Sequence, residues 1–285
     1  MDDQLRAKLV DELTDAEKRQ LITTWTSEKE VVKFSQATLD DCVRDDGLGL
    51  DLRYLRMEAP TIHIPLKFVA PSPSEWLSSS LKKIRKAWVI DNEKAARIII
   101  DAILTEVLSI DVNVNLLGFC EVRNDWASRG VSYTGCVDYM IGSSLIRSIG
   151  GMDSYLLIVE AKKDWLAAGL SQVVCEAGCL LKRRLATGKR MPVFAVLTNG
   201  LLFRFFAIDV DGTVFASGEQ LLAIGVDNTY ASSQSLSEII RWFVWILTWF
   251  ALCSPRASRE AISQSTADEN LRELRQCFGP RNHNV

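Results

Sequence analysis

Three charged residues stand at unusual places in the middle of the chain. Asp138 lies within the mainly apolar run 135–142, and Glu160 and Lys162 lie near the end of the apolar run 155–163. Burying an ion costs several kcal/mol or more unless a partner or a metal ion offsets the lost hydration. A buried ion pair between a carboxylate and Lys162 is one explanation of this pattern. A metal-dependent site is the other, and the further residues described below favour it.

Strand geometry would bring the three side chains together. Side chains alternate along a strand, so Glu160 and Lys162 point to one face. A connection through residues 143–154 would place Asp138 beside Glu160, and two adjacent carboxylates repel each other unless a positive charge lies between them. Mg²⁺ suits this arrangement because it needs only one or two carboxylates besides water and phosphate, and Mn²⁺ is an alternative. Such an ion would polarise a phosphoryl oxygen and lower the pKa of a coordinated water, which Lys162 would orient or deprotonate.

Composition excludes several other kinds of site. The 285 residues are 48% hydrophobic with a net charge of −3, as in a globular protein without a global basic field, so nucleic-acid binding would need a local basic patch. Seven cysteines without a C-x-x-C pair suggest neither a zinc site nor a disulfide framework, and predict an intracellular location, in nucleus or cytoplasm. The chain has only two histidines, which argues against mechanisms that use two in one site.

Hydrophobic periodicity predicts the elements that would position these residues. A helix over 92–108 has Asp91 as its predicted N-cap and Glu93 in its first turn, and a helix over 166–185 carries Gln172. Strands are predicted at 112–122, 135–141, 155–161, 191–198, 201–208 and 213–216. The Asn199-Gly200 pair predicts a hairpin turn between the fourth and fifth of these strands. This order predicts an α/β domain with a mixed central sheet flanked by helices.

The two ends of the chain are predicted to be separate from this core. Residues 1–75 are interpreted as an accessory region, helical within 1–30, with a short strand Thr61–Ile64 and a proline-rich boundary near 60–75. The main domain covers 76–255, and 256–285 is a polar tail. Within the main domain, the apolar helix 236–253 is interpreted as a buried closing helix. A homodimer interface is the second interpretation and a membrane segment the third, and we expect no membrane association.

A basic cluster lies ahead of the first core helix. Its members are Lys82, Lys83, Arg85 and Lys86. The cluster could contact phosphate or direct nuclear import, and a solvated helix face explains it equally well. Trp76 and Trp88 flank the cluster and are expected to pack.

The residues described above resemble the PD-(D/E)XK nuclease superfamily, which has a restriction-endonuclease-like α-β-β-β-α-β core. The resemblance covers about residues 91–210. Asp138 resembles the acidic residue of the second strand of that core, and Glu160-Ala161-Lys162 resembles the E-x-K of its third strand. Gln172 resembles the glutamine that opens a Q-x-x-x-Y pattern on the following helix.

The resemblance is incomplete at three positions. Val137 precedes Asp138 where the superfamily often has proline, and Glu176 stands where the tyrosine would be. The acidic residue of the first helix is ambiguous. Glu93 resembles it most, while Glu121 at the end of the first predicted strand and Glu106 on the same helix are alternatives.

The run Val-Glu-Ala-Lys-Lys, the Gln172 helix and the run Val-Leu-Thr-Asn-Gly-Leu-Leu-Phe-Arg-Phe are similar to the nuclease-like domains of fungal and oomycete Crinkler-type effectors. The resemblance implies a metal-dependent nuclease acting on nucleic acid, with DNA favoured over RNA. It implies catalytic roles for Asp138, Glu160, Lys162 and Gln172, and metal ligation by Asp138 and Glu160 with Glu93 or Glu121. Lys163 and the basic cluster would contact nucleic acid. The alternative is an inactive nuclease fold that binds nucleic acid or a protein partner as an effector.

Overall fold

Strands from across the chain form one mixed sheet. The computed structural model describes residues 29–112, 116–128, 130–143, 155–162, 167–222, 233–253 and 263–280. In chain order the elements are β1 Glu30–Lys33, α1 Leu39–Val43, α2 Glu75–Ala87, α3 Glu93–Ser109, β2 Leu116–Ala127, β3 Val131–Ser143, β4 Tyr155–Ala161, α4 Ala167–Ala186, β5 Val193–Thr198, β6 Leu202–Ile208, β7 Val214–Ala216, β8 Gln220–Leu221, α5 Ser233–Cys253 and α6 Gln264–Arg275. The predicted mixed α/β architecture is confirmed.

The sheet follows the order β1-β3-β4-β5-β6-β7, with β2 paired to β3 and β8 paired to β6. The β1–β3 and β4–β5 pairs are parallel, and the other pairs are antiparallel. Because β4 and β5 are parallel, the chain has to return between them, and α4 makes that crossover. The antiparallel neighbours β3 and β4 are the two strands that carry Asp138 and Glu160.

Both faces of the sheet are covered by apolar side chains. Residues of α2, α3, α5 and α6 pack on one face, and residues of α1, α4 and the segment 32–55 pack on the other. Burial on both faces explains the nearly continuous apolar composition of β4 and β5. A charged residue within these strands is therefore forced into contact with the helices.

Local sequence signals account for the helix and turn that flank the site. The predicted helix 92–108 is α3, but Asn92 rather than Asp91 caps it, since Asn92 Oδ1 accepts from the Ala95 amide at 3.0 Å. Asp91 instead accepts a hydrogen bond from the Asn92 side chain. The predicted hairpin between β5 and β6 is confirmed. Gly200 has φ +83° in its turn, a conformation that glycine adopts at little cost.

The described part of the predicted accessory region contacts the sheet directly. Val32 of β1 and Phe34 are buried, and β1 pairs with β3. The predicted strand Thr61–Ile64 is wrong, because Ile62 forms only an isolated bridge with Phe278. The predicted helix within 1–30 lies almost wholly outside the described residues, and the domain boundary at residue 75 stays a prediction.

The apolar helix α5 packs in the core formed with α3 and the sheet. By length and composition alone it could cross a membrane, and 72% of its most apolar stretch of 18 residues is buried inside the protein. Arg241, which interrupts its apolar sequence, donates to the carbonyl oxygens of Pro65 and Phe68 and pairs with Glu238 at 3.2 Å. The guanidinium group of Arg241 is thus paired with backbone carbonyl oxygens and Glu238 and does not lie unpaired in the apolar core.

Candidate active site

Three acidic residues lie side by side on three neighbouring strands. The β2–β3 register places Glu121 opposite Asp138, and the β3–β4 register, continued by one residue, places Asp138 opposite Glu160. Residues directly opposite each other on antiparallel strands have Cβ atoms about 5 Å apart. The predicted proximity of Asp138 and Glu160 follows from this pairing, and Glu121 adds a third acid on the other side.

The strands are irregular at this position. Val137 and Met140 on β3 are three residues apart, yet both pack into the core that contains α4, whereas regular alternation would put them on opposite faces. Glu121 on the paired strand has φ +50°, and no other non-glycine residue in the described ranges has a positive φ. Such a conformation costs on the order of 1–3 kcal/mol and is most often found at functional sites. The irregularity changes the direction of Asp138 relative to a regular strand.

Arg97 of α3 reaches this row of acids. Its Nη2 donates to Asp138 Oδ1, its Nη1 lies 3.2 Å from Glu121 Oε1, and its Nη2 lies 3.5 Å from Glu93 Oε1. Burial opposes the charge of the guanidinium, but Asp138 and Glu121 outweigh it and raise the pKa of Arg97. No role was predicted for Arg97 from the sequence. The available signal was its spacing of four residues from Glu93, which places both on one face of α3.

The second oxygen of Asp138 is held by the backbone. The amide of Ala161 donates to Asp138 Oδ2 at 2.8 Å, which fixes the carboxylate between β4 and Arg97. Burial raises the pKa of Asp138, although the Ala161 amide and Arg97 both act in the opposite direction. Asp138 is therefore an oriented acid in a largely dehydrated position.

Glu160 is the most deeply placed of the predicted site residues, with 1% of its surface exposed. Its Oε1 accepts hydrogen bonds from Lys162 Nζ and from Gln172 Nε2, both at 2.6 Å. Burial and the nearby Asp138 raise the pKa of Glu160 to about 7, and Lys162 opposes the shift. Burial also opposes the charge of Lys162, but Glu160 outweighs it and raises the pKa of the ammonium group.

Glu176 extends the arrangement into the interior. Gln172 Nε2 donates to Glu176 Oε1 at 2.9 Å as well as to Glu160, so one amide group joins two buried acids. Glu176 is fully buried, and burial together with the charge of Glu160 raises its pKa well above the ordinary value. The residue that replaces the tyrosine of the resembled pattern thus contacts the predicted glutamine directly.

The remaining predicted residues lie farther out or elsewhere. Glu93, at the start of α3, has its carboxylate 4.0 Å from Lys162 Nζ, and Glu121 contacts Arg97. Two of the three candidate upstream acids, Glu93 and Glu121, therefore lie at the cluster. Glu106 does not, because it accepts from the backbone and side chain of Ser74, the N-cap of α2, at 2.7 Å each. Lys163 lies outside the described residues.

The basic cluster lies on α2, where Lys82, Lys83 and Lys86 are exposed and Arg85 is partly buried. Trp76 and Trp88 are 51% and 56% exposed, so the expectation that both pack was wrong.

Asp138 and Glu160 can bind a divalent cation only if other ligands complete its coordination. No group of three or more His, Cys, Asp or Glu side chains in the described ranges is arranged to hold a metal ion. Asp138 and Glu160 are both paired with cations, but Glu160 Oε2 is buried and has no hydrogen-bond partner. Mg²⁺ accepts one or two carboxylates if water and substrate phosphate complete its coordination. The pair therefore fits Mg²⁺ or Mn²⁺ in that form and does not make a site of protein ligands alone.

Comparison with known proteins found no family model that matches the chain and no matching curated protein. The function is therefore argued from the geometry of the acidic cluster and its neighbours.

Proposed function

We propose that the protein is a nuclease that uses Mg²⁺ or Mn²⁺ to hydrolyse phosphodiester bonds in nucleic acid, with DNA favoured over RNA. The observation that carries the proposal is the convergence of Asp138, Glu160 and Lys162, with Gln172 behind them. The order α3-β2-β3-β4-α4-β5 is compatible with a restriction-endonuclease-like core, and that finer topology is part of the proposal.

Asp138 and Glu160 would hold the metal ion, which supplies Lewis acidity to the phosphodiester group when it is bound. Gln172 fixes the Oε1 atom of Glu160, so the free Oε2 atom is the one available for a ligand. Glu93 and Glu121 lie at the edge of the cluster, where both pair with Arg97, so either would join the site only through a coordinated water molecule.

Lys162 places a positive charge beside Glu160. Its ammonium group lies between Glu160 at 2.6 Å and Glu93 at 4.0 Å, and 24% of the side chain is exposed. From this position it can orient a water molecule toward phosphorus and offset the negative charge that develops on the phosphoryl oxygens. The planar guanidinium group of Arg97 has paired N–H donors suited to phosphate. If Asp138 were neutralised by a bound metal ion, Arg97 could contact the phosphate of the substrate instead.

The test is cleavage of single- and double-stranded DNA and RNA by the purified protein, with and without Mg²⁺. Asp138→Asn and Lys162→Met preserve side-chain size while removing the carboxylate or the ammonium group. Each is expected to lower the metal-dependent rate by about 100-fold or more. Lys94→Met, which removes an exposed lysine from the same helix as Glu93, serves as the matched control. Undiminished cleavage by a folded Asp138→Asn or Lys162→Met protein would refute the proposed roles.

A second function is favoured by the ion pairs themselves. Arg97 and Lys162 already neutralise Asp138 and Glu160, as expected of a nuclease fold that only binds nucleic acid or a protein partner. Calorimetric titration with Mn²⁺ in the presence of a cleavage-resistant phosphorothioate oligonucleotide separates the two functions, because the proposed site needs substrate phosphate to complete the coordination of the ion. Absence of metal binding at millimolar Mn²⁺ under these conditions would leave only the non-catalytic module.

A further inference from the structure

Helix α2 has an apolar face in the core and a charged face in water. Leu77 and Leu81 are fully buried. At 100° per residue, Lys83 and Lys86 fall on the side of the helix opposite Leu77 and Leu81, and Trp76 and Lys82 lie at the two margins of that side. Trp76 and Trp88 at the two ends of this helix are each about half exposed, so part of each ring is accessible to a partner.

In the part of the chain that the structure describes, no carboxylate pairs with Lys82, Lys83 or Lys86. The only acidic residue on the helix is Glu75. The chain as a whole has a net charge of −3, so this face is a local positive surface on an acidic protein.

The C-terminal end of α2 lies near the start of α3, which carries Glu93. Ser74, at the start of α2, bonds to Glu106 near the end of α3, and residues 88–92 connect the end of α2 to the start of α3. The two helices are therefore antiparallel, and Trp88 lies at the same end of the pair as Glu93. The thirteen residues of α2 extend about 20 Å from this end.

We propose that the Trp–Lys face, formed by Trp76, Lys82, Lys83, Lys86 and Trp88, binds single-stranded nucleic acid and delivers it to the acidic cluster. The inference deepens the proposed function and rests on it for the cleavage step. The lysines would contact successive phosphates, and the tryptophans would stack on bases at the two ends of the face. Unpaired bases expose the rings that stacking requires, whereas a duplex offers this face mainly its phosphates, so the substrate class is single-stranded.

An anionic membrane is the competing partner for tryptophan and lysine. An interfacial helix inserts its apolar stripe among the lipids. In α2 that stripe is used by the core, because Leu77 and Leu81 are fully buried there. Between the two rings α2 exposes mainly lysine and serine side chains with the small Ala87, and beyond Trp88 the chain exposes Val89. One alanine and one valine are little apolar surface for insertion into lipid, which favours stacking on bases.

The experiment measures binding of a labelled oligothymidine and of a blunt duplex of equal length, by fluorescence anisotropy in EDTA so that no metal-dependent cleavage occurs. Trp76→Ala and Trp88→Ala are each expected to weaken oligothymidine binding roughly 5- to 150-fold. Trp88→Phe should recover most of the loss because it keeps a stacking ring. Duplex binding should change little in either alanine variant. The substituted tryptophans are largely exposed, and melting curves verify that each variant is folded.

The salt dependence tests the lysines separately. Each phosphate contact on a single strand contributes about 0.7 to the slope of log affinity against log salt. The triple variant Lys82→Gln, Lys83→Gln and Lys86→Gln removes three such contacts and should reduce the slope by about 2. The matched control replaces three exposed cations elsewhere, Lys33, Arg56 and Arg272, with glutamine. The control makes the same change in net charge and should leave the slope close to that of the wild type.

Three outcomes would overturn the inference. They are unchanged oligothymidine binding in both tryptophan variants, equal slopes for the two triple variants, and tryptophan-dependent binding to phosphatidylserine vesicles without tryptophan-dependent binding to oligothymidine. Failure of the proposed nuclease function has a different signature. In that case the wild type would cleave nothing with Mg²⁺ or Mn²⁺, while oligothymidine binding would still depend on Trp76 and Trp88.

Discussion

Arg97 on α3 donates through Nη2 to Oδ1 of Asp138 on β3 and also contacts Glu93 and Glu121. A single guanidinium group therefore neutralises acids from a helix and from two strands. Because Asp138 is also the residue proposed to bind a metal ion, Arg97 and the metal ion compete for the same carboxylate oxygen. The metal-free protein carries an internal counter-ion at its candidate site.

Arg97→Gln is expected to strengthen metal binding and to weaken the metal-free protein. Loss of the guanidinium removes the competing cation, so Mn²⁺ affinity measured by calorimetry should rise about tenfold or more, as for a lost charge-assisted hydrogen bond. Without metal, repulsion among the three acids should lower the melting temperature. Added Mn²⁺ should then raise the melting temperature more in the variant than in the wild type.

Lys94→Gln is the control for this prediction, because it removes one exposed positive charge three residues away on the same helix. Equal Mn²⁺ affinities for the Arg97 and Lys94 variants would show that Arg97 does not compete with the metal.

Gln172→Leu is expected to destabilise the protein by about 1–3 kcal/mol. Gln172 donates to both Glu160 and Glu176. Glu160 Oε1 keeps its hydrogen bond from Lys162, whereas Glu176 Oε1 loses its donor, and a buried acceptor left without its donor costs about 1–3 kcal/mol. Urea unfolding measures the loss. In the double variant Gln172→Leu, Glu176→Leu the orphaned acceptor is removed as well, so the combined loss should be smaller than the sum of the single losses by about 1 kcal/mol or more. Strict additivity would contradict the linkage.

Features encoded by neighbouring residues could be predicted from the sequence. The Asn199-Gly200 turn is local, because Asn199 Oδ1 accepts from the amides of Leu201 and Leu202 and Gly200 supplies the positive φ. The proximity of Asp138 and Glu160 could be predicted because the two residues lie on consecutive strands, where the alternation of side chains and the connection through 143–154 constrain which residues lie opposite each other.

Features that depend on distant packing could not be predicted. The approach of Arg97 to Asp138 depends on the rotation of α3 over the sheet, which its own periodicity leaves open. The four-residue strand β1 pairs in parallel with residues about a hundred positions away and has one buried side chain, Val32. The alternating pattern of Thr61–Ile64 suggested a strand, but Thr61 and Ile62 donate their amides to the single carbonyl of Ala216, which a regular ladder does not allow.

The positive φ of Glu121 predicts an inverted preference between glycine and alanine. In an ordinary strand alanine is tolerated better than glycine, but at φ +50° a Cβ atom adds roughly 1 kcal/mol of strain. Glu121→Gly should therefore be more stable than Glu121→Ala by about 1 kcal/mol in urea unfolding, although both variants lose the exposed contact to Arg97. The same pair of substitutions at Arg123 on this strand provides the comparison. If alanine is the more stable residue at both positions, Glu121 is not strained.

The buried Glu176 predicts a pH dependence of stability with a definite sign. Its pKa in the folded protein is raised well above the ordinary value by burial and by the charge of Glu160. The folded state therefore binds the proton more tightly than the unfolded state, so stability falls as the pH rises above the ordinary pKa, until the folded pKa is reached. Glu176→Gln keeps the shape and an acceptor oxygen for Gln172 but cannot ionise. As the pH rises above 5.5 in EDTA, the wild type should lose stability relative to this variant, with a slope of about 1.4 kcal/mol per pH unit for as long as folded Glu176 keeps its proton, measured by urea unfolding. Glu269→Gln removes an exposed acid on α6 and should follow the wild type throughout this range. Parallel stability curves for the wild type and Glu176→Gln would mean that Glu176 does not retain its proton when the protein is folded.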